Sequence, residues 1–131
     1  MKRSTLYTYL GLLALVGLFS CAKDPIDDAG LLITQRSQCY MTSFDLLGSD
    51  HRTVLVSGLT KVDTTALTVT ATAKFGTNMQ RVKPFCSLVS DAIVDVPMGV
   101  WTDFTKPQVY TVISGNRQVR KAYTVTVTLQ Q

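Results

Sequence analysis

Val109-Tyr110-Thr111-Val112-Ile113, then Ser114-Gly115-Asn116, then Tyr123-Thr124-Val125-Thr126-Val127-Thr128-Leu129 reads as a β-hairpin near the end of a 131-residue chain. Both arms are crowded with β-branched and aromatic residues, which fit a pleated, half-buried surface. The residues between them tolerate the positive φ of a tight turn. In the second arm Tyr123, Val125, Val127 and Leu129 fall on one face, so one side is expected in a core and the other in water. No charge occurs from Tyr123 to Gln131. Left as a free edge, such a strand would recruit neighbouring chains, so it is expected to be paired on both sides or shielded by a closing strand.

Upstream, the same period recurs. Leu67, Val69, Ala71, Ala73 and Phe75 alternate with Thr68, Thr70, Thr72 and Lys74, and Gly76-Thr77-Asn78 ends the run. Residues 39–47, 52–57, 81–89 and 92–96 read as further strands, and 97–105 as an irregular crossing. Residues 31–34 read as a short edge strand or the end of a tether. Pro107 suits the first position of a strand, where a missing amide matters least. After residue 21 no segment combines a helical period with caps. About seven short strands separated by turn residues predict an all-β, two-sheet sandwich with Greek-key wiring.

The N-terminus is of a different kind. Met1-Lys2-Arg3 is a basic start and Leu6 to Phe19 an apolar run, the pattern of a signal peptide and too short for the roughly 20 apolar residues of a membrane-spanning helix. Leu18-Phe19-Ser20-Cys21 follows and resembles a lipobox, in which the Cys21 thiol receives a diacylglyceryl group. An unmodified secreted protein is the alternative. The reading is a signal-peptide helix over 1–20, a lipidated Cys21 with a flexible tether over 21–30, and a sandwich over 31–131. Ala22-Lys23-Asp24-Pro25-Ile26-Asp27-Asp28 resembles the charged signal that sends lipoproteins of gut anaerobes to the outer face of the outer membrane. A solvated tether facing the periplasm is the alternative. The expected location is the outer membrane, lipid-anchored and surface-exposed.

Composition narrows the function classes. With 46% hydrophobic and 17% charged residues, the chain can bury a core and is not disordered. Its formal net charge is +4, but Lys2 and Arg3 lie in the leader and the other basic residues are scattered apart from Arg117, Arg120 and Lys121. A nucleic-acid partner would call for a dense basic stripe, so none is expected.

Few residues invite a chemical role. His51 is the sole histidine and sits in an apparent turn between Asp50 and Arg52, a poor place for a general base that needs a positioned partner. No enzyme activity is expected. One histidine and two cysteines without paired spacing fall short of a zinc site, and the aspartates match no calcium loop, so neither metal nor cofactor is expected. Cys39 and Cys86 either form a disulfide in an oxidising compartment or stay as buried thiols acting as small apolar groups. Trp101 is the candidate ligand-binding residue, since sugar rings stack on indole faces; the alternative is an indole packed over the end of the core.

Lys74-Phe75-Gly76-Thr77-Asn78, Val82-Lys83-Pro84, Asp103-Phe104-Thr105-Lys106-Pro107-Gln108-Val109-Tyr110-Thr111-Val112, Gly115 and Lys121-Ala122-Tyr123-Thr124-Val125-Thr126-Val127 together resemble a family of immunoglobulin-like domains of unknown function in surface lipoproteins of gut anaerobes. The resemblance covers roughly residues 39–129. It implies an immunoglobulin-like β-sandwich serving as a spacer or accessory module in glycan-handling surface proteins, commonly ahead of a larger carbohydrate-binding or catalytic domain. With this chain ending where such a domain would begin, the module is expected to bind or assemble by itself. The expected function is a non-catalytic adhesion, scaffold or glycan-binding role, with a membrane partner through the lipid and a glycan or surface protein as ligand. The alternative is a structural subunit of a multi-protein surface complex.

Overall fold

The computed structural model describes residues 25–131. The predicted signal helix and the lipidation site Cys21 lie outside the described residues. The chain divides into two units at Leu32 and Ile33. In the described part of the first, Ile26 and Leu32 form an isolated antiparallel bridge, and Asp27 Oδ1 accepts from the Ala29 and Leu31 amides.

The second unit is all-β, with seven strands in two sheets. They are β1 (Met41–Leu47), β2 (Lys61–Asp63), β3 (Thr68–Ala73), β4 (Lys83–Leu88), β5 (Ile93–Val94), β6 (Gln108–Ile113) and β7 (Arg120–Leu129). β1 and β4 pair alone. The larger sheet runs β2-β3-β7-β6-β5.

The terminal hairpin forms as expected: β6 and β7 are antiparallel, from Ile113 opposite Arg120 to Gln108 opposite Val125. β7 also pairs in parallel with β3, from Thr68 beside Thr124 to Ala73 beside Leu129. β6 thus covers one edge of β7 from Arg120 to Val125 and β3 the other from Thr124 to Leu129, which shortens the open edge that its uncharged part would otherwise offer. In the turn, positive φ falls on Arg117 and not on Gly115. Gly115 is needed for close approach instead, because a Cβ there would collide with Thr34 Oγ1 and stand 2.9 Å from Asp91 Cβ.

Inward-facing residues of both sheets make one core. Val69, Ala71 and Ala73 of β3, Tyr110 and Val112 of β6, and Tyr123, Val125 and Val127 of β7 meet Met41, Phe44 and Leu46 of β1 and Val82 beside β4. In β1 the inward residues Met41 and Phe44 are three apart, not two; a register shift between Met41 and Ser43 inserts the extra residue, as β-bulges do. Pro84 is tolerated within β4 because that strand pairs only with β1.

Two strand assignments need correction. Residues 52–57 do not form a strand; Thr53 bridges Leu47 and Leu55 bridges Ala73. The Val54 amide donates to Leu46 O, the Val56 amide to Thr72 O and the Lys74 amide to Val54 O. The segment thus crosses from the smaller sheet to the edge of the larger one. The strand in this region is β2, a three-residue edge carrying Lys61 and Asp63, short and charged as exposed edges tend to be. Of the two readings of residues 31–34, an edge strand or the end of a tether, the strand does not form; Leu32 only bridges Ile26.

Candidate functional site

Two turns and one crossing build an end of the sandwich. Between β1 and the crossing segment, the His51 amide donates to Gly48 O at 3.0 Å, the Gly48 amide to Arg52 O at 3.0 Å, and the Arg52 amide to Asp50 Oδ1 at 3.2 Å. His51 takes a positive φ of 58° at the tip.

The second turn follows β3. The Thr77 amide and hydroxyl both donate to Lys74 O, at 3.2 and 2.7 Å, and Gly76 has φ 81°. A turn with positive φ at its third residue favours glycine there. The cost of this geometry falls on Phe75. It stands at the second position, beyond the last residue of β3, and is 81% exposed, so its expected place on the buried face is wrong.

Between these turns lies a cleft of roughly 590 Å³. Phe75, Asn78, Asp50, Arg52, Lys74 and Arg81 contribute to its walls. The Lys74 ammonium donates to Thr53 O at 3.4 Å. None of Arg52, Lys74, Arg81 or Lys83 is paired with a carboxylate among the described residues; the ion pair of Arg36 and Asp91, at 3.1 Å, involves other groups.

Trp101 reaches this region through one bridge. Val82 and Thr102 pair antiparallel, with amide-to-carbonyl bonds of 3.2 and 2.8 Å. In such a bridge Lys83 stands opposite Trp101 and Arg81 is its diagonal neighbour. Val82 is wholly buried, so the flanking Arg81 and Lys83 point outward by alternation. Their charged ends sit over the indole at 4.7 Å for Arg81 and 4.5 Å for Lys83, and the His51 ring centroid is 6.3 Å from that of Trp101. The indole is 36% exposed, neither lost in the core nor open on its own. Nearby, Asp103 accepts from the Thr105 hydroxyl and amide at 2.6 and 2.8 Å, which together hold its carboxyl below the usual range.

The cysteines belong elsewhere. The Cys39 thiol is buried and donates to Val112 O at 3.1 Å, while Cys86 is half-buried in β4, opposite Phe44. Both thiols are free, each raised above its ordinary pKa chiefly by desolvation. Among the described residues, no three His, Cys, Asp or Glu side chains group to hold a metal, and no helix is long and apolar enough to cross a membrane.

A family model described as "SGBP, N-terminal" matches residues 50–127, taking in the second turn, the bridge, β2 to β6 and β7 as far as Val127. The chain belongs to that family. Solved structures resemble this chain in fold. A candidate glycoside hydrolase of Bacteroides thetaiotaomicron superposes with a TM-score of 0.60 at 22% identity, over 84% of this chain and 28% of its own. A candidate secreted protein of Bacteroides fragilis gives 0.56 at 16% identity, over 72% of this chain and 97% of its own. A DUF4623-family protein of Bacteroides eggerthii gives 0.55 at 16% identity, over 72% and 22%. Curated proteins include no match. The chain therefore spans little more than a quarter of the length of the candidate glycoside hydrolase.

Proposed function

We propose that this protein is a non-catalytic, glycan-binding accessory module of the cell surface, immunoglobulin-like in its wiring and held to the outer membrane by lipid on Cys21. Membership of the SGBP N-terminal family supports the glycan-handling context. The observation that carries the binding reading is Phe75, a ring 81% exposed on the wall of a cleft also lined by hydrogen-bonding groups. The apolar face of a pyranose can lie on such a ring while its hydroxyls reach the rim, the usual division between apolar body and placed polar groups in ligand sites.

Binding without bond-making fits the cleft's acid count. Glycoside hydrolysis generally uses two carboxyl groups flanking the bond to be cut, and among the described residues Asp50 is the single carboxylate in the lining. The His51 ring packs near an indole.

A glycan array probed with the full chain in detergent tests this reading. Phe75→Ala should abolish the signal and Trp101→Ala should weaken it, each with an unchanged thermal midpoint. Sugar release from any glycan on the array, or binding indifferent to Phe75→Ala, would count against it.

A second reading, a subunit of a surface complex, draws on a shallow groove of roughly 250 Å³ that includes Val96, Val100 and Val109, exposed by 37%, 51% and 57%. Exposed apolar groups gathered in one groove suit a protein partner.

A further inference from the structure

We infer that the cleft selects acidic glycans, chains whose pyranose rings carry carboxylate or sulfate groups, and that Trp101 acts as a strut for the selecting cations. This rests on the cleft being the glycan site.

Charge carries the argument first. Arg52, Lys74 and Arg81 line the cleft with Asp50 as the one acid among the described lining residues, and Lys83 adds a fourth cation beside Trp101. Asp50 has already spent one carboxylate oxygen on the Arg52 amide. The nearby Asp103 is occupied by Thr105. Three cations on a concave wall and a fourth beside it, none paired with a carboxylate among the described residues, repel one another and focus a positive potential where a ligand would lie.

Geometry carries it further. A flexible cation loses side-chain entropy on binding an anion, and pre-positioning it removes part of that loss. The indole pre-positions two: the Arg81 and Lys83 charges rest 4.7 and 4.5 Å from its centroid, within the range of cation–π attraction. A sugar stacking on Trp101 would have to displace them, whereas Phe75 is 81% exposed. The division of labour follows: Phe75 takes the ring face, and the cations take the anion. Arg81 offers a planar fork suited to a carboxylate or sulfate.

Calorimetric titration of the full chain in detergent, with oligogalacturonate, a sulfated chondroitin oligosaccharide and maltohexaose as probes, tests the inference. The expected result is at least tenfold tighter binding of one or both acidic probes than of maltohexaose, fading between about 50 mM and 500 mM salt as the charges are screened. The two acidic arms separate carboxylate from sulfate ester as the anion. Arg81→Gln and Lys74→Gln should each weaken the acidic probe by about three- to tenfold without shifting the thermal midpoint. Trp101→Phe, which keeps an aromatic face, should retain more of the acid preference than Trp101→Ala, an ordering that a merely structural role would not produce. Equal affinity for maltohexaose would overturn the acid selectivity while leaving the glycan site standing. Inorganic polyphosphate binding as tightly as the acidic sugars, unaffected by Phe75→Ala, would reduce the cleft to a cation exchanger and overturn the inference. Failure of all three sugars to bind would overturn the site along with it.

Discussion

Tyr123 is wholly buried in β7, and its hydroxyl accepts from the Met41 amide at 3.4 Å. Desolvation raises its phenol above the ordinary range, and the same cause acts on Tyr110. In the unfolded chain these groups ionise near pH 10, whereas the folded chain keeps their protons to higher pH. Above about pH 10 the folded state binds more protons than the unfolded one, so stability is intact below that pH and falls as pH rises beyond it. Urea midpoints measured from pH 8 to 11 should show this loss, with tyrosinate absorbance appearing together with unfolding. Tyr123→Phe should cost about 1 kcal/mol at neutral pH through the lost hydrogen bond and flatten the alkaline decline. Alternation foretold that Tyr123 would be buried, and it failed at Phe75 for a definable reason. A period of two places side chains only while the strand lasts, and β3 stops at Ala73. Phe75 then belongs to the turn that Gly76 completes, and its phenyl is exposed. The glycine was visible in the sequence, but not where pairing with β7 would end.

Phe104 shows how an irregular element can join two regular ones. It lies on the crossing between β5 and β6, is 1% exposed, and its ring centroid is 6.1 Å from Phe44 of β1 and 6.4 Å from Tyr110 of β6. One side chain from a segment outside both sheets thus packs against each. Phe104→Ala should cost about 3–5 kcal/mol, as for large aromatics removed from cores, read as a lower urea midpoint. Trp101→Ala, on the exposed side of the same crossing, should cost far less. The crossing was legible because Pro97 and the broken period deny it a strand, but the residues it would hold together were not. Residues 52–57 were misread because Val54, Leu55 and Val56 have strand chemistry. Their backbone partners are divided between β1 and β3, a division set by where the two sheets stand and not by local preference. Arg81 and Lys83 gave no signal either, since only the Val82–Thr102 bridge brings them to the indole.

For the molecule as a whole, the all-β class and the terminal hairpin could be read from sequence because both follow from period and turn chemistry. The parallel pairing of β3 with β7 could not, since it joins segments more than fifty residues apart. The proposed lipid anchor makes its own prediction at this scale. Each buried acyl methylene contributes about 0.8 kcal/mol, so Cys21→Ala should move the protein from the membrane to the soluble fraction, as followed by fractionation and immunoblotting. An unchanged membrane fraction would remove the anchor.

The seventh strand in chain order is the middle of the larger sheet: β7 stands between β3 and β6. A nascent chain lacking it can draw the earlier strands together but cannot join them, because neither neighbour bonds to the other. Distant pairings of this kind form late and slowly. The larger sheet therefore closes only when β7 enters between β3 and β6, and residues 68–113 stay pliable until it does.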